Sequence, residues 1–262
     1  MRGTLAMVVG LIAVAAPAIA GAAEALSFTA ADGVRVFADY YAADRKADNK
    51  SAPLILLFHQ AGSNRGEYAT IAPALAKLGF DALAIDQRSG GSSWGRVNET
   101  VEHLGHSSDF AAAIADLEAA LQWARSSGHD GRLIVWGSSY SAALVFPLAA
   151  KHKGAVSAVL AFSPGEYLGG AATVRRAAAQ LTVPIFVTSA KENGEIAAAR
   201  TILDAAPASV KTQFVPRVAG VHGSSTLRSD RNPKGVDENW DAVKAFLAPL
   251  ALSSISPAKN HS

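Results

Sequence analysis

The chain has 262 residues, of which half are apolar and 18% are charged, and its formal net charge is +2. This composition can build a buried core in one α/β domain or two small ones, and it argues against a disordered chain. Because the charge is small and has no long run of one sign, it does not indicate a nucleic-acid partner. The chain contains no cysteine, so no disulfide bond can stabilise it.

The beginning of the chain has the pattern of a secretory signal peptide. Arg2 gives a positive start, an apolar run occupies 5–14, and 15–23 is rich in small residues that offer two small-x-small cleavage sites. The alternative is an uncleaved membrane anchor. The proline and the small residues before Glu24 favour cleavage.

Three segments follow from this reading. We predict a signal peptide at 1–23, a single α/β domain at 24–252 and a flexible polar tail at 253–262. No later apolar segment is long enough to span a bilayer. The sequence therefore predicts a periplasmic or secreted protein with no membrane partner after cleavage.

Strand and helix patterns alternate along the domain, after an antiparallel hairpin that Asp32 and Gly33 predict. Continuous apolar runs are typical of strands buried on both faces, and amphipathic segments between them are typical of covering helices. The predicted strands are 25–30, 35–41, 53–59, 81–86, 133–137, 156–162, 184–189 and 211–218. The predicted helices are 67–78, 107–127, 141–152, 195–206 and 237–247, and Phe110 is expected to face the core. This order predicts a three-layer α/β fold with a mostly parallel sheet between helices.

A serine after the strand 133–137 has the surroundings of a nucleophile. The pentapeptide Gly-Ser-Ser-Tyr-Ser at 137–141 resembles G-x-S-x-G, in which a sharp strand–turn–helix elbow exposes the serine hydroxyl and small neighbours avoid crowding. It departs from that pattern at Ser141, where glycine is usual. Ser139 is the predicted nucleophile, and the alternative is that these serines only cap the next helix.

The loop after the strand 53–59 is predicted to bind the negative oxygen of a tetrahedral intermediate. We expect the backbone N–H of Ala61 to be one donor, with Gln60 as the neighbouring possibility. The second donor is expected to be the N–H of Tyr140, the residue after the nucleophile. His59 is expected to bond to the backbone and shape this loop.

A histidine late in the chain is the predicted general base. His222 lies in a glycine-containing loop between the last strand and the final helix, from which its ring can reach the elbow. The acid that orients it is expected after the strand 184–189, where Glu192 is our choice. Glu195 is the runner-up, although its place at a helix start also suits the helix dipole. Glu166 is a third candidate.

The order Ser139, Glu192, His222 matches that of the α/β-hydrolases. The motifs that carry this resemblance are Phe-His-Gln-Ala-Gly at 58–62, Ala-Ile-Asp-Gln-Arg-Ser-Gly at 84–90, the pentapeptide at 137–141 and Val-His-Gly at 221–223. From about 28 to 250 the chain resembles the α/β-hydrolase superfamily, and in length and layout its dienelactone-hydrolase-like branch. Dienelactone hydrolases have a cysteine nucleophile, which this chain lacks. The resemblance implies ester hydrolysis through an acyl-enzyme, without a cofactor.

Two further pairs are interpreted as structural. Asp86 and Arg88 are interpreted as an ion pair that braces the loops, because buried charges normally have partners. His103 and His106 form H-x-x-H without a third ligand pattern, so no metal site is indicated.

The substrate is the least determined part of the prediction. Only a short segment follows the strand 156–162 before the next helix, which leaves little room for a lid and suggests small or accessible esters. His59, Gln60, Trp94 and Tyr167 are candidate pocket residues, and ordinary packing is their alternative role. The predicted function is a serine carboxylic-ester hydrolase. The alternatives are a peptidase or amidase with the same groups, and an inactive binding protein on a hydrolase scaffold.

Overall fold

The computed structural model describes residues 22–44 and 52–251. Within these residues the chain alternates between strands and helices, as the apolar pattern predicts. The strands are β1 (Ala23–Thr29), β2 (Arg35–Tyr41), β3 (Leu54–Phe58), β4 (Asp81–Ile85), β5 (Leu133–Ser138), β6 (Val156–Phe162), β7 (Ile185–Thr188) and β8 (Lys211–Phe214). The α-helices are α1 (Ile71–Lys77), α2 (Glu99–Leu104), α3 (Ile114–Ser126), α4 (Tyr140–Lys151), α5 (Thr173–Ala178), α6 (Asn193–Ala205) and α7 (Val236–Ala251).

The strands form one open sheet in the order β1-β2-β4-β3-β5-β6-β7-β8. β1 and β2 form the antiparallel hairpin at one edge, and β2 is also antiparallel to β4. All other neighbours pair in parallel. The predicted α/β fold class, with a mostly parallel sheet, is therefore confirmed.

Two apolar layers hold helices against the two faces of the sheet. Alternate residues of β3 show the division: Leu54, Leu56 and Phe58 pack in one layer, whereas Ile55 and Leu57 pack in the other. The first layer includes α3, α4, α5 and α6, and the second includes α1 and α7. Because both faces are covered, the residues of a central strand such as β3 are apolar without alternation.

Several helix boundaries differ from the predicted ones. The segment 107–127 divides into a 3-10 helix at Phe110–Ala113 and then α3. Phe110 does not lie in the core as predicted: it is 38% exposed, and its ring stacks on Tyr140 at 4.4 Å between centroids. The tighter 3-10 period places it off the buried stripe of α3. The segment 67–78 divides likewise, into a 3-10 helix at Arg65–Tyr68 and α1.

The predicted signal peptide and the polar tail lie outside the described residues, except for residues 22 and 23. Within the described part of the chain, no helix has the length and apolar character needed to cross a bilayer. Localisation therefore stays a prediction.

Candidate active site

Ser139 occupies the sharp turn between β5 and α4. Its backbone lies at φ 57° and ψ −119°, a conformation that costs a non-glycine residue free energy and is concentrated at functional sites. The strand and the helix cross so closely that a Cβ at Gly137 would lie 2.2 Å from the carbonyl oxygen of Ser141. The first position of the pentapeptide therefore requires glycine, as the elbow geometry predicts.

Ser141, which stands where the pattern usually has glycine, is buried and fully bonded. Its hydroxyl donates to the carbonyl oxygen of His59 at 2.6 Å and accepts from the side-chain amide of Gln87 at 2.7 Å. The departure from the pattern thus links the start of α4 to the ends of β3 and β4. A serine here maintains the elbow instead of disturbing it.

The structure brings Ser139 and His222 together across a long sequence separation. The Ser139 Oγ lies 2.8 Å from the His222 Nε2, and the His222 Nδ1 lies 2.8 Å from the Glu195 Oε1. Such a chain of hydroxyl, imidazole and carboxylate allows the ring to accept the serine proton while the carboxylate holds its tautomer. This arrangement has the geometry of a catalytic triad.

The carboxylate that contacts His222 is that of Glu195, the second candidate, and not that of Glu192, our first choice. Glu192 is an exposed residue that precedes α6 as its N-cap, and it makes no hydrogen bond to the imidazole among the described residues. Glu195, in the first turn of α6, reaches back to His222, and its Oε2 also accepts the N–H of Ala190 at 3.1 Å. Glu166 instead accepts backbone N–H groups at the start of α5.

Burial and pairing shift the two titrating members of this chain in opposite directions. The hydrogen bond from Glu195 raises the pKa of His222 above 6.5 against the opposing effect of burial. Burial raises the pKa of Glu195, but hydrogen bonds with His222 and Ser163 outweigh it and hold that pKa below its ordinary value. The pair is therefore arranged to favour an imidazolium beside a carboxylate, which is the state that proton transfer from serine creates.

Ser163 is a residue of this site that was not predicted from the sequence. It follows β6 with a left-handed φ of 56° and is buried. Its hydroxyl bonds to Glu195 and accepts the backbone N–H of Gly223 at 2.9 Å. One side chain thereby links the acid to the loop that carries His222. Its position directly after a parallel strand was the available signal.

The backbone donors expected for an oxyanion are only partly free. A carboxylate oxygen of Glu67 accepts the N–H of Gln60 at 2.8 Å, so that donor is occupied. Among the described residues, the N–H of Ala61 has no hydrogen-bond partner. Tyr140 is the first residue of α4, where backbone N–H groups have no acceptor within the helix. The geometry favours Ala61 over Gln60, with Tyr140 as the second donor.

Family comparison agrees with this fold. Residues 49–187, more than half of the chain, match the family described as serine aminopeptidase, S33. The chain belongs to this family of α/β-hydrolases. The matched segment includes β3 to β7 and the elbow, and it ends before Glu195 and His222. No curated protein matches this hydrolase in sequence.

Solved structures with the same fold include esterases and a dienelactone hydrolase. An esterase from Pyrococcus furiosus is 19% identical, with coverage of 88% of this hydrolase and 93% of that chain and a TM-score of 0.63. Dienelactone hydrolase from Anabaena variabilis is 15% identical, with 88% and 99% coverage and a TM-score of 0.66. A carboxyl esterase from Bacillus coagulans is 13% identical, with 90% and 100% coverage and a TM-score of 0.67. At these identities the similarity establishes the α/β-hydrolase fold.

The four candidate pocket residues of the hydrolase differ in their surroundings. His59 does not face an open pocket: it is fully buried, its Nε2 accepts the N–H of Gln87 at 2.9 Å, and its Nδ1 lies 2.8 Å from the carbonyl oxygen of Gln60. Burial lowers the pKa of His59 to about 4, so it stays neutral and shapes the loop. The side chain of Gln60 is half-buried beside Gly223, next to His222.

The two aromatic candidates also differ. Trp94 donates through Nε1 to Ser63 at 2.7 Å and packs under the guanidinium of Arg228 at 4.2 Å from its ring centroid, which favours the packing role. Tyr167 is 39% exposed. Burial and the nearby carboxylate of Glu195 both raise the pKa of Tyr167, so this ring lies near the acid and remains the better pocket candidate.

Asp86 and Arg88 are buried and paired, but not with each other as the sequence suggested. Asp86 binds the guanidinium and the backbone N–H of Arg65. Arg88 binds Asp116 at 2.8 Å and also pairs with Asp32. Asp86 is paired with the 3-10 helix that begins at Arg65, and Arg88 with the first turn of α3, so both residues have structural roles.

The described residues contain no group of three or more histidine, aspartate and glutamate side chains placed to hold a metal ion. His103 lies against the ring of Phe37 at 5.9 Å between centroids. The groups assembled around Ser139 are those of acid–base and nucleophilic chemistry.

Proposed function

We propose that this protein is a serine hydrolase that cleaves carboxylic esters of small or accessible substrates through an acyl-enzyme. The observation that carries the proposal is a pair of hydrogen bonds through one imidazole ring: His222 Nε2 lies 2.8 Å from the Ser139 Oγ, and His222 Nδ1 lies 2.8 Å from the Glu195 Oε1. The strained elbow presents the first member of this series at the carboxyl edge of the sheet.

In the acylation half-reaction, the Ser139 oxygen attacks the ester carbonyl carbon while His222 takes the hydroxyl proton. The carbonyl π electrons move to the oxygen, which the N–H groups of Ala61 and Tyr140 stabilise. The imidazolium is stabilised by Glu195, which stays ionised. Collapse of the intermediate breaks the bond to the alcohol oxygen, and His222 returns the proton to that leaving group.

Deacylation repeats these roles with water. His222 removes a proton from a water molecule as its oxygen bonds to the acyl carbon, and the same donors hold the second oxyanion. The bond between Ser139 and the acyl carbon then breaks, and His222 protonates the serine oxygen. The products are a carboxylic acid, an alcohol and the original enzyme. The proposed reaction uses no cofactor.

The solved structures of the same fold support esters as the substrates, because two of the three proteins named above are described as esterases. The family description of serine aminopeptidase supports the peptidase alternative. The triad geometry is common to both, since both reactions are acyl transfers. The distinction therefore belongs to the substrate pocket and needs a direct assay.

The test compares p-nitrophenyl acetate with alanine p-nitroanilide, using wild type, Ser139→Ala and the surface control Ser126→Ala. We expect a burst of nitrophenol with the ester, weak cleavage of the anilide, and a loss of at least about a thousandfold in kcat for Ser139→Ala. Cleavage of the anilide with equal or greater kcat/KM would favour the peptidase. Cleavage of neither by a folded wild type would favour the binding protein.

A further inference from the structure

Glu67 is a fully buried carboxyl group that connects three loops of the site. Its Oε2 accepts the backbone N–H of Gln60 at 2.8 Å, and its Oε1 accepts the hydroxyl of Ser138 at 2.7 Å. The Ser138 Oγ in turn accepts the backbone N–H of Ser224 at 2.8 Å. The same carboxylate is therefore bonded, directly or through one hydroxyl, to the oxyanion loop, the elbow and the loop that carries His222.

The loop of His222 fits closely over this carboxylate. Gly223 has a φ of +69°, and a Cβ there would lie 2.4 Å from the Ser138 Oγ and 3.8 Å from the Glu67 Oε1. Arg228 donates from Nη1 to the carbonyl oxygen of Glu67 at 3.0 Å. The oxyanion loop and the histidine loop, which lie on either side of Ser139, are therefore both held against Glu67.

We propose that Glu67 is a positioning residue whose ionised carboxylate holds the oxyanion loop, the elbow and the histidine loop in their active arrangement, and whose protonation releases them. This inference rests on the proposed serine-hydrolase function. It assigns a role to a buried acid outside the triad.

The hydrogen bonds of Glu67 identify the ionised form as the one that fits. Both carboxylate oxygens face donors, the N–H of Gln60 and the hydroxyl of Ser138. Protonation would place a new donor against one of these donors. The Ser138 hydroxyl would then have to reverse its bond while still accepting from Ser224, and its own hydrogen would lose its acceptor. The link between the loops would weaken.

Burial raises the pKa of Glu67 to about 7, against the hydrogen bonds from Gln60 and Ser138 and the charges of Arg228 and His222. Two other titratable groups face it, Tyr68 and Tyr140, whose pKa values burial raises further, so they stay neutral near pH 7. The groups that change charge here in the neutral range are thus Glu67 and His222. Because the Glu67 carboxylate also raises the pKa of His222, their titrations are coupled.

Activity and stability should respond to this carboxyl in opposite directions. The active arrangement is present above the pKa of Glu67 and is lost as pH falls through about 7. The folded pKa lies above the ordinary value of 4.5, so the folded state binds the proton more tightly and stability falls as pH rises from about 4.5 to 7. Replacing Glu67 by glutamine removes the buried charge and should therefore remove that loss of stability at high pH, while it also removes the carboxylate that accepts the hydroxyl of Ser138.

The first test uses full-length Glu67→Gln, with Glu118→Gln as a control whose carboxylate pairs with Lys151 away from the site. We expect Glu67→Gln to lower kcat on p-nitrophenyl acetate about tenfold or more at pH 8, with little change in KM. The acid limb of the pH profile of kcat/KM should become shallower, because only His222, and no longer both His222 and Glu67, takes up a proton there. Its melting temperature at pH 8 should be at least that of wild type, and Glu118→Gln should match wild type in all three measurements.

Ser138→Ala supplies a second variant with a different signature. It removes a hydrogen bond that lowers the pKa of Glu67, so the acid limb should move to higher pH and stay steep.

NMR titration of the His222 ring, which needs no turnover, should show a lower pKa of His222 in Glu67→Gln than in wild type. That measurement separates this inference from failure of the proposed function.

The role of Glu67 would be overturned if both variants had the kcat and the acid limb of wild type and the pKa of His222 did not change.

Discussion

At the scale of single residues, the site depends on where each side chain meets the end of a strand. Ser139 and His222 follow parallel strands in loops, so their positions could be predicted from the apolar pattern. Glu195 could be predicted only as the second candidate for the acid, because a glutamate in the first turn of a helix has an ordinary role beside the helix dipole. Its hydrogen bond to His222 depends on the path of the 189–193 segment, which carries no residue pattern of its own.

The carboxylates of Glu195 and Glu192 provide a matched comparison three residues apart. Glu195→Gln should lower kcat about a thousandfold or more, because an amide cannot stabilise the imidazolium and can hold the wrong tautomer. Glu192→Gln should change kcat less than about twofold, since its side chain is exposed. Ester turnover by the two purified variants checks this. A larger loss in Glu192→Gln than in Glu195→Gln would return the acid role to Glu192.

At the scale of elements, the buried strands were the most predictable part of the fold. β3 and residues 82–85 of β4 are continuous apolar runs because both faces of the sheet are covered. The 3-10 helices at Arg65–Tyr68 and Phe110–Ala113 were predicted as parts of longer α-helices, since apolar spacing does not separate a 3-10 turn from the α-helix that follows it. The role of Glu67 was equally hidden, because its partners are set by contacts between strand-end loops far apart in the chain.

The crossing of β5 and α4 permits a direct test of the elbow. Gly137→Ala should destabilise the protein by about 3 kcal/mol, because its Cβ would meet the backbone of Ser141 at 2.2 Å. At Gly194, in the first turn of α6, a Cβ would meet no such neighbour within 4 Å, so Gly194→Ala should be neutral or stabilise by up to about 1 kcal/mol. Urea unfolding of both variants measures the difference. Equal stabilities would contradict the close crossing.

At the scale of the whole molecule, a buried ion cluster fastens the hairpin edge of the sheet to the loops near the site. Arg65 pairs with Asp39 on β2 at 2.8 Å, with Asp86 after β4 and with Glu99 at the start of α2. Burial raises the pKa of Asp86, and the guanidinium of Arg65 opposes that rise. The sequence indicated a structural role for Asp86, but its pairing with Arg65 instead of Arg88 required the folded chain.

Removing the cation of this cluster should therefore be costly. Arg65→Met should lower the free energy of unfolding by about 3–5 kcal/mol, because it leaves the buried carboxylate of Asp86 without its guanidinium partner. Arg200→Met removes one member of an exposed pair with Asp204 and should change stability by less than about 0.5 kcal/mol. Guanidinium unfolding at pH 7 compares them. A loss in Arg65→Met as small as that in Arg200→Met would contradict the structural role of the cluster.

Export of the chain is a proposal that follows from the first 23 residues. Expression of the full sequence in a bacterial host should yield a periplasmic protein that has been cleaved at one of the two small-x-small sites. Its intact mass should be that of a chain that begins after residue 20 or after residue 23. Mass spectrometry of periplasmic and membrane fractions measures this. An uncleaved chain in the membrane fraction would favour the alternative prediction, in which this segment is a membrane anchor.

The central claim is that Ser139 is an activated nucleophile, and covalent labelling tests it most directly. A fluorophosphonate probe should add one label to the folded wild type, and peptide mapping should place that label on Ser139. Ser139→Ala should take up none, and prior protonation of His222 at low pH should slow the reaction, because the unprotonated ring accepts the serine proton. Absence of labelling in the folded wild type, or equal labelling of Ser139→Ala, would contradict that claim.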